Sequence, residues 1–236
     1  MTSDQFDSQV EGVAALADPL RRSLYRYVVS QPGPVGRDDA ANAIGVPRHV
    51  AAFHLDRLEQ DGLLQAEFRR PEGRTGPGAG RPSKLYRRSA REFAVTLPER
   101  RYAFAGRLMA EAIARAERDG ISVADALHEA ATRMGHSMGE ESRLRAGNDA
   151  APDQIEASAL QVLAENGYEP RSDATGITLS NCPFHSLAQD YTDLVCGMNF
   201  DLIKGLLDGL SAERLEAHLE PAAGRCCVTL RPTPAA

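Results

Sequence analysis

The spacing of apolar residues predicts a group of helices at the start of the chain. In residues 18–30 the apolar side chains recur every three or four positions, the pattern of a helix with one buried face. Shorter helices are predicted over residues 37–44 and 48–61, separated by Gly45 and closed by Gly62. Two helices joined by so tight a turn, the second about four turns long, have the spacing of a helix-turn-helix.

Two segments with strand character follow, and they predict a hairpin. They are residues 63–70 and 84–88, and the stretch between them is too rich in glycine and polar residues to pack. Such a hairpin would form a wing beside the third helix, where basic residues suit contacts with phosphates or a minor groove. The alternative is a solvated charged hairpin. The basic residues of the predicted wing are Arg69, Arg70, Arg74, Arg81 and Lys84.

The helix predicted over residues 48–61 has an unusual outward face. A stripe of Ala and Leu would pack inside. An exposed Phe beside Arg and His is typical of a helix that enters a DNA major groove, where apolar groups meet thymine methyls and Arg reaches guanine. The alternative is a small structural module of helices. The residues of the outward face are Arg48, His49, Ala52 and Phe53.

Residues 14–90 resemble the winged helix-turn-helix of the ArsR-type bacterial regulators. The matching segments are residues 16–22 (LADPLRR), 54–64 (HLDRLEQDGLL) and 80–86 (GRPSKLY). The resemblance implies a DNA-binding domain. It does not indicate which effector the protein senses.

Beyond residue 92 the pattern predicts two long helices and then a mixed region. The helix over residues 98–119 carries an alanine-rich apolar stripe, and the next runs from Ser122 to about Gly147. We expect the stripe to form a dimer contact, because a lone winged domain has no means to bury it. A short helix near residues 154–166 leads into alternating strand and helix patterns. The strands are predicted at residues 168–172, 177–180 and 227–231.

These elements predict an α+β protein in three parts. Residues 14–92 would form a winged helix-turn-helix that binds DNA, and residues 93–150 a helical linker and dimerisation region. Residues 151–236 would form an α+β sensor domain that contains all of the cysteines.

Charge sets the predicted wing apart from the rest of the chain. The chain has 27 Lys+Arg and 33 Asp+Glu, a formal charge of -6, which by itself does not favour a nucleic-acid partner. Residues 66–91, however, hold eight basic and two acidic residues. No window approaches the roughly 20 apolar residues of a membrane span, and the acidic first residues are unlike a signal peptide. We therefore expect a cytoplasmic protein without a membrane partner.

The cysteines point to a site. All four lie in the last quarter of the chain, beside Pro, Gly or Asn turns at the ends of predicted elements: Cys182, Cys196, Cys226 and Cys227. Three thiols together with His185 would meet the ligand needs of zinc or of an iron–sulfur cluster. A helix start near Cys196 would also lower the pKa of its thiol. Buried spare cysteines are the alternative. The spacing does not separate the two metals, although the absence of Cys-x-x-Cys disfavours a zinc ribbon.

The cysteine motifs resemble those of the iron–sulfur repressors of the Suf assembly operon (SufR-like regulators). The matching segments are residues 181–185 (NCPFH), Cys196 and residues 224–227 (GRCC). With the winged helix, the similarity spans nearly the whole chain. It implies a dimer with a 4Fe–4S cluster in each sensor domain, and a cluster state that controls operator binding.

The resemblance also implies the ligands of the cluster. Cys182, Cys196 and one residue of the pair Cys226 and Cys227 match the family's cysteine positions. The four-cysteine version has a further cysteine where the stretch 206–210 stands here, so the fourth ligand stays open. His185 is the preferred candidate, and an exogenous group or the second cysteine of the pair is the alternative. Because neighbouring strand residues point to opposite faces, we expect only one of the pair to bind.

The predicted function is a dimeric transcriptional regulator, with a repressor favoured. It would bind a double-stranded DNA operator with an inverted repeat, and its cluster would sense redox state or iron. A regulator with a zinc site or a small-molecule pocket is the alternative. An enzyme is disfavoured because no nucleophile–base pair is recognisable, and the glycine-rich stretch 73–80 lacks the Lys-Ser/Thr of a phosphate loop.

Overall fold

The computed structural model describes residues 3–69, 82–147, 149–173 and 176–233. It confirms a mixed α+β protein, in which the chain from Thr2 to Val95 forms one compact unit and the chain from Thr96 to Ala236 the other. The predicted boundary at residue 92 therefore lies close to a real one. The predicted boundary at residue 150 does not separate compact units.

The first unit contains helices and a small antiparallel sheet. Its elements are α1 (Ser3–Ala15), α2 (Pro19–Ser30), β1 (Val35–Gly36), α3 (Arg37–Ile44), α4 (Arg48–Gln60), β2 (Leu64–Arg69) and β3 (Ser83–Arg88). The strand order is β1-β3-β2. Helices α2 to α4 and the hairpin strands lie within two residues of their predicted bounds, whereas α1 and β1 were not predicted. The predicted loop between β2 and β3, with Arg70, Arg74 and Arg81, lies outside the described residues.

Local signals explain the bounds of these helices. The Asp18 side chain accepts a hydrogen bond from the Arg21 amide at 2.8 Å, which caps α2. Gly45 ends α3 with φ 74°, a left-handed conformation that favours glycine. The buried face of α4 packs into a core that includes Leu24 and Tyr86. This orients α4 with its opposite face outward.

The second unit contains a four-stranded antiparallel sheet of order β4-β5-β7-β6. Its elements are α5 (Tyr102–Asp119), α6 (Val123–Ala146), α7 (Pro152–Glu165), β4 (Pro170–Asp173), β5 (Gly176–Leu179), α8 (His185–Asp190), α9 (Thr192–Leu210), β6 (Leu215–Leu219) and β7 (Val228–Pro232). Strand β6 and helix α8 were not predicted. Helix α5 begins at Tyr102, four residues later than expected.

The apolar stripe of α5 is buried within its own unit. Ala105, Leu108 and Ala112 are at most 1% exposed and belong to the same core as the residues of α9 and the cysteines. The argument that a dimer must bury this stripe is therefore wrong, because α6 and the rest of the unit already cover it. Two residues of the predicted stripe are exposed, Tyr102 at 36% and Ile113 at 56%.

Helices α6 and α9 pack backbone to backbone. A Cβ atom at Gly135 would lie 2.0 Å from the Leu202 carbonyl oxygen, and one at Gly205 would lie 2.2 Å from the Thr132 carbonyl oxygen. Such approaches leave no room for a side chain. The two helices form one rigid pair, and α9 carries Cys196.

No helix in the described ranges has both the length and the apolar composition needed to cross a bilayer.

Candidate functional site

The four cysteines and His185 line a single pocket of about 160 Å³ in the second unit. Cys182 lies three residues beyond β5, Cys196 lies in the second turn of α9, and the other two directly precede β7. A backbone hydrogen bond of 2.8 Å from the Cys226 amide to the Leu179 oxygen joins the end of β5 to the segment before β7. The sheet thus brings together residues that lie far apart in the sequence.

The four thiols share this pocket. The electrostatic interactions of Cys182 with Cys226, of Cys226 with Cys227 and of Cys227 with Cys196 indicate that neighbouring thiols lie close together. This differs from the expectation that only one of the adjacent pair faces the site. The strand begins at Val228 rather than at residue 227, so the alternation of a pleated strand does not apply to Cys226 and Cys227.

All four cysteines are free thiols in a buried setting, between 1% and 8% exposed. The hydrogen bond to Cys226 and then burial raise the pKa of Cys182 well above its usual range. Burial also raises the pKa of Cys196, so the lowering expected from a helix start is wrong. For Cys226, the Cys182 hydrogen bond lowers the pKa, but the Cys227 hydrogen bond and burial raise it to about 11. The raised pKa values favour protonated thiols at Cys182, Cys196 and Cys226 when no metal is bound, so metal binding by these three would release protons.

His185 is the first residue of α8 and is exposed at the edge of the pocket. Its backbone amide donates to the Cys182 oxygen at 3.1 Å, which closes the turn that carries this cysteine. The structure therefore brings all five predicted metal-site residues together. Four of them are buried thiols, and the histidine is the most accessible.

The predicted DNA-contact residues of α4 lie on its outer face. Arg48 and His49 are exposed, Ala52 is half-buried and Phe53 is 66% exposed. The Arg48 guanidinium forms a 2.6 Å ion pair with Asp38 of α3, and both side chains remain more than half exposed. Arg48, His49 and Phe53 are thus exposed as the sequence predicted, whereas the ion pair of Arg48 with Asp38 was not predicted.

The described cations of the predicted wing are paired. Lys84 binds Asp56 at 2.7 Å and also Glu59, both on α4, and is only 20% exposed. Tyr86 and Arg37 donate to the same Asp56 carboxylate. Lys84 therefore ties β3 to α4 instead of standing free for a phosphate.

Arg69 pairs with Glu67 at 2.9 Å on its own strand. The exposed Arg87 and Arg88 of β3 line one pocket with Arg69 and were not singled out from the sequence. The run of basic residues in the stretch 66–91 was the signal that could have found them.

Comparisons of the chain with family models, with characterised proteins and with solved structures gave no match.

The donor set is one that an iron–sulfur cluster or a zinc ion accepts. Within the ranges that the structure describes, no three His, Cys, Asp or Glu side chains are arranged to hold a metal ion. In an iron–sulfur cluster each cysteine thiolate binds a different iron atom. The sulfur ligands therefore surround a cavity, whereas the ligands of a single ion all point at one atom. Four thiols around a pocket meet that need, with no carboxylate among the pocket's lining residues to favour a harder metal.

A network of polar residues that the sequence did not reveal holds the Cys182 loop. The Asn181 amide donates to the Gly167 oxygen at 2.5 Å and to the Glu99 oxygen at 3.1 Å. Arg100 donates to the Asn181 side chain at 2.5 Å and to the Cys182 oxygen at 3.0 Å. No periodicity predicts these contacts, because Arg100 and Cys182 are 82 residues apart.

Proposed function

We propose that this protein is a DNA-binding transcriptional regulator whose operator binding is controlled by an iron–sulfur cluster. The observation that carries the proposal is the convergence of four buried thiols from three chain segments on one pocket. Four cysteine ligands are the usual set for a 4Fe–4S cluster. Cys182, Cys196, Cys226 and Cys227 would hold it, which makes His185 dispensable.

The cysteine pocket itself is too small for a typical organic effector. Its volume of about 160 Å³ is below the range of about 300–1,000 Å³ that is common for such ligands. A structural zinc site would need four ligands in a closed tetrahedron, and no three His, Cys, Asp or Glu side chains of the described residues are arranged around one point. A zinc-bound form remains the second candidate, because the donor set itself is one that zinc accepts.

A bound cluster would supply a one-electron redox change and would hold the ligand segments together. The Cys182 loop, the second turn of α9 and the segment before β7 would each be fixed by a thiolate. Loss of the cluster would release these segments, and Arg100 and Asn181 connect the Cys182 loop to the start of the unit. This provides the two-state element that a switch requires.

The first unit supplies the proposed DNA contacts. Helices α3 and α4 with the hairpin β2–β3 would form a winged helix-turn-helix, with α4 in the major groove. The exposed Arg48 and Phe53 support this role, since Arg reads guanine and an apolar group meets a thymine methyl. We propose a homodimer on an inverted repeat, because symmetric dimers read such operators. The reducing cytoplasm is the compartment that favours free thiols.

The experiment that tests the function combines cluster analysis with DNA binding. The protein is purified without oxygen, assayed for iron, sulfide and zinc, and used to select its operator from random-sequence DNA. We expect iron and sulfide in stoichiometric amounts, and operator affinities of loaded and cluster-free protein that differ by about 5- to 150-fold, the usual span of allosteric coupling. Zinc without sulfide, or equal affinities of the two forms, would contradict the proposal.

Replacement of Arg48 tests the recognition helix. We expect Arg48→Ala to weaken binding to the selected operator by about 1–3 kcal/mol and to relax the base preference at one position. Arg145→Ala is the matched control, because Arg145 has a similar exposure and a similar ion pair on α6 in the other unit. Titrations by fluorescence anisotropy measure both variants, and unchanged operator binding by Arg48→Ala would exclude α4 as the reading helix.

A further inference from the structure

We propose that Asn199 is a positioning residue that donates its side-chain N–H to the Cys226 sulfur and thereby raises the reduction potential of the cluster. This inference rests on the proposed function. The Asn199 Nδ2 atom lies 3.2 Å from the Cys226 Sγ atom, and both residues are 1% exposed. Because this hydrogen bond is shielded from water, it is electrostatically stronger than the same hydrogen bond would be in solvent.

A second residue orients the amide. The Tyr168 hydroxyl donates a hydrogen bond to the Asn199 Oδ1 atom at 2.5 Å, and Tyr168 is 2% exposed. In this orientation the amide oxygen accepts from the phenol and the NH₂ group faces the sulfur. The reverse orientation would set the amide oxygen against a thiolate, two acceptors with no proton between them.

The position of Asn199 on α9 is unusual for a polar residue. It stands three residues after Cys196, between Met198 and Leu202, which are both buried. A buried amide without partners is costly, so it must be satisfied inside the core. Here its recorded partners are a tyrosine hydroxyl and a cysteine sulfur, which places it directly behind the pocket that the thiols line.

The chemical consequence follows from the charge on the sulfur. A reduced cluster carries more negative charge on its thiolates than an oxidised one, and an N–H donor stabilises that charge. Loss of the donor should therefore make the cluster harder to reduce. A merely structural asparagine would affect folding or loading without this directed change in potential.

The test is a redox titration of loaded full-length protein with two variants. Asn199→Leu removes the donor at similar volume, and Tyr168→Phe keeps the ring but removes the hydroxyl that orients the amide. We expect Asn199→Leu to lower the reduction equilibrium constant about tenfold, which is about 59 mV for one electron. Tyr168→Phe should lower it by less. Ser142→Ala, which alters another buried polar residue of the unit, should leave the potential unchanged.

The outcomes separate the inference from the proposed function. If the wild type binds no cluster, the proposed function fails. If the wild type is loaded and both variants keep its potential, or move it upward, only the inference about Asn199 is overturned. Should Asn199→Leu fail to fold or load, Tyr168→Phe decides, because it retains the ring in the core and changes only the orientation of the amide.

Discussion

Cys182→Ser and Cys196→Ser are each expected to abolish binding of the proposed iron–sulfur cluster. Cys182 and Cys196 lie on separate elements, and each would be the only thiolate that its segment contributes. A serine hydroxyl is a poor ligand for an iron–sulfur cluster, since it is far harder to ionise than a thiol. Iron and sulfide assays and the visible absorption spectrum, recorded without oxygen, measure the loss.

The adjacent pair and the histidine complete this prediction. Because both Cys226 and Cys227 line the pocket, we expect Cys226→Ser and Cys227→Ser each to lose most of the cluster. His185→Ala should retain full iron content and is the matched control at the pocket edge. Full loading of Cys196→Ser would contradict the assignment, and loss of the cluster in His185→Ala with retention in Cys227→Ser would make His185 the fourth ligand.

Any side chain at Gly135 is expected to destabilise the second unit strongly. The Cβ atom of Gly135→Ala would lie 2.0 Å from the Leu202 carbonyl oxygen, so α6 and α9 would have to separate. Overpacking of this kind costs about 3 kcal/mol at its upper end. Because α9 carries Cys196, loss of the cluster should accompany the loss of stability.

A glycine in open space provides the control for this substitution. Gly106 is an exposed residue of α5, and a Cβ there would meet nothing within 4 Å. Gly106→Ala should stabilise the protein by about 0.5–1 kcal/mol, because alanine is the better helix former. Hydrogen exchange of the α6 and α9 amides, with urea unfolding of the full chain, measures both variants. Unchanged protection in Gly135→Ala would show that the two helices are not closely packed in solution.

The sequence determined the local elements of this protein because their signals are local. Asp18 and Pro19 mark the start of α2, and the glycine at position 45 separates α3 from α4. The helical spacing of apolar and polar residues also predicted that Arg48 and Phe53 lie on the outer face of α4. Each of these depends on residues a few positions apart, which is the range that propensity and periodicity describe.

The positions of the cysteines beside turns indicated a site, but only the tertiary structure decided its composition. Cys226 and Cys227 both line the pocket, although they are neighbours directly before β7. The contact of Asn199 with Cys226 joins residues 27 positions apart, and the apolar stripe of α5 is covered by its own unit instead of a partner. These features depend on which elements pack together, and local periodicity is the same whichever partner covers a buried face.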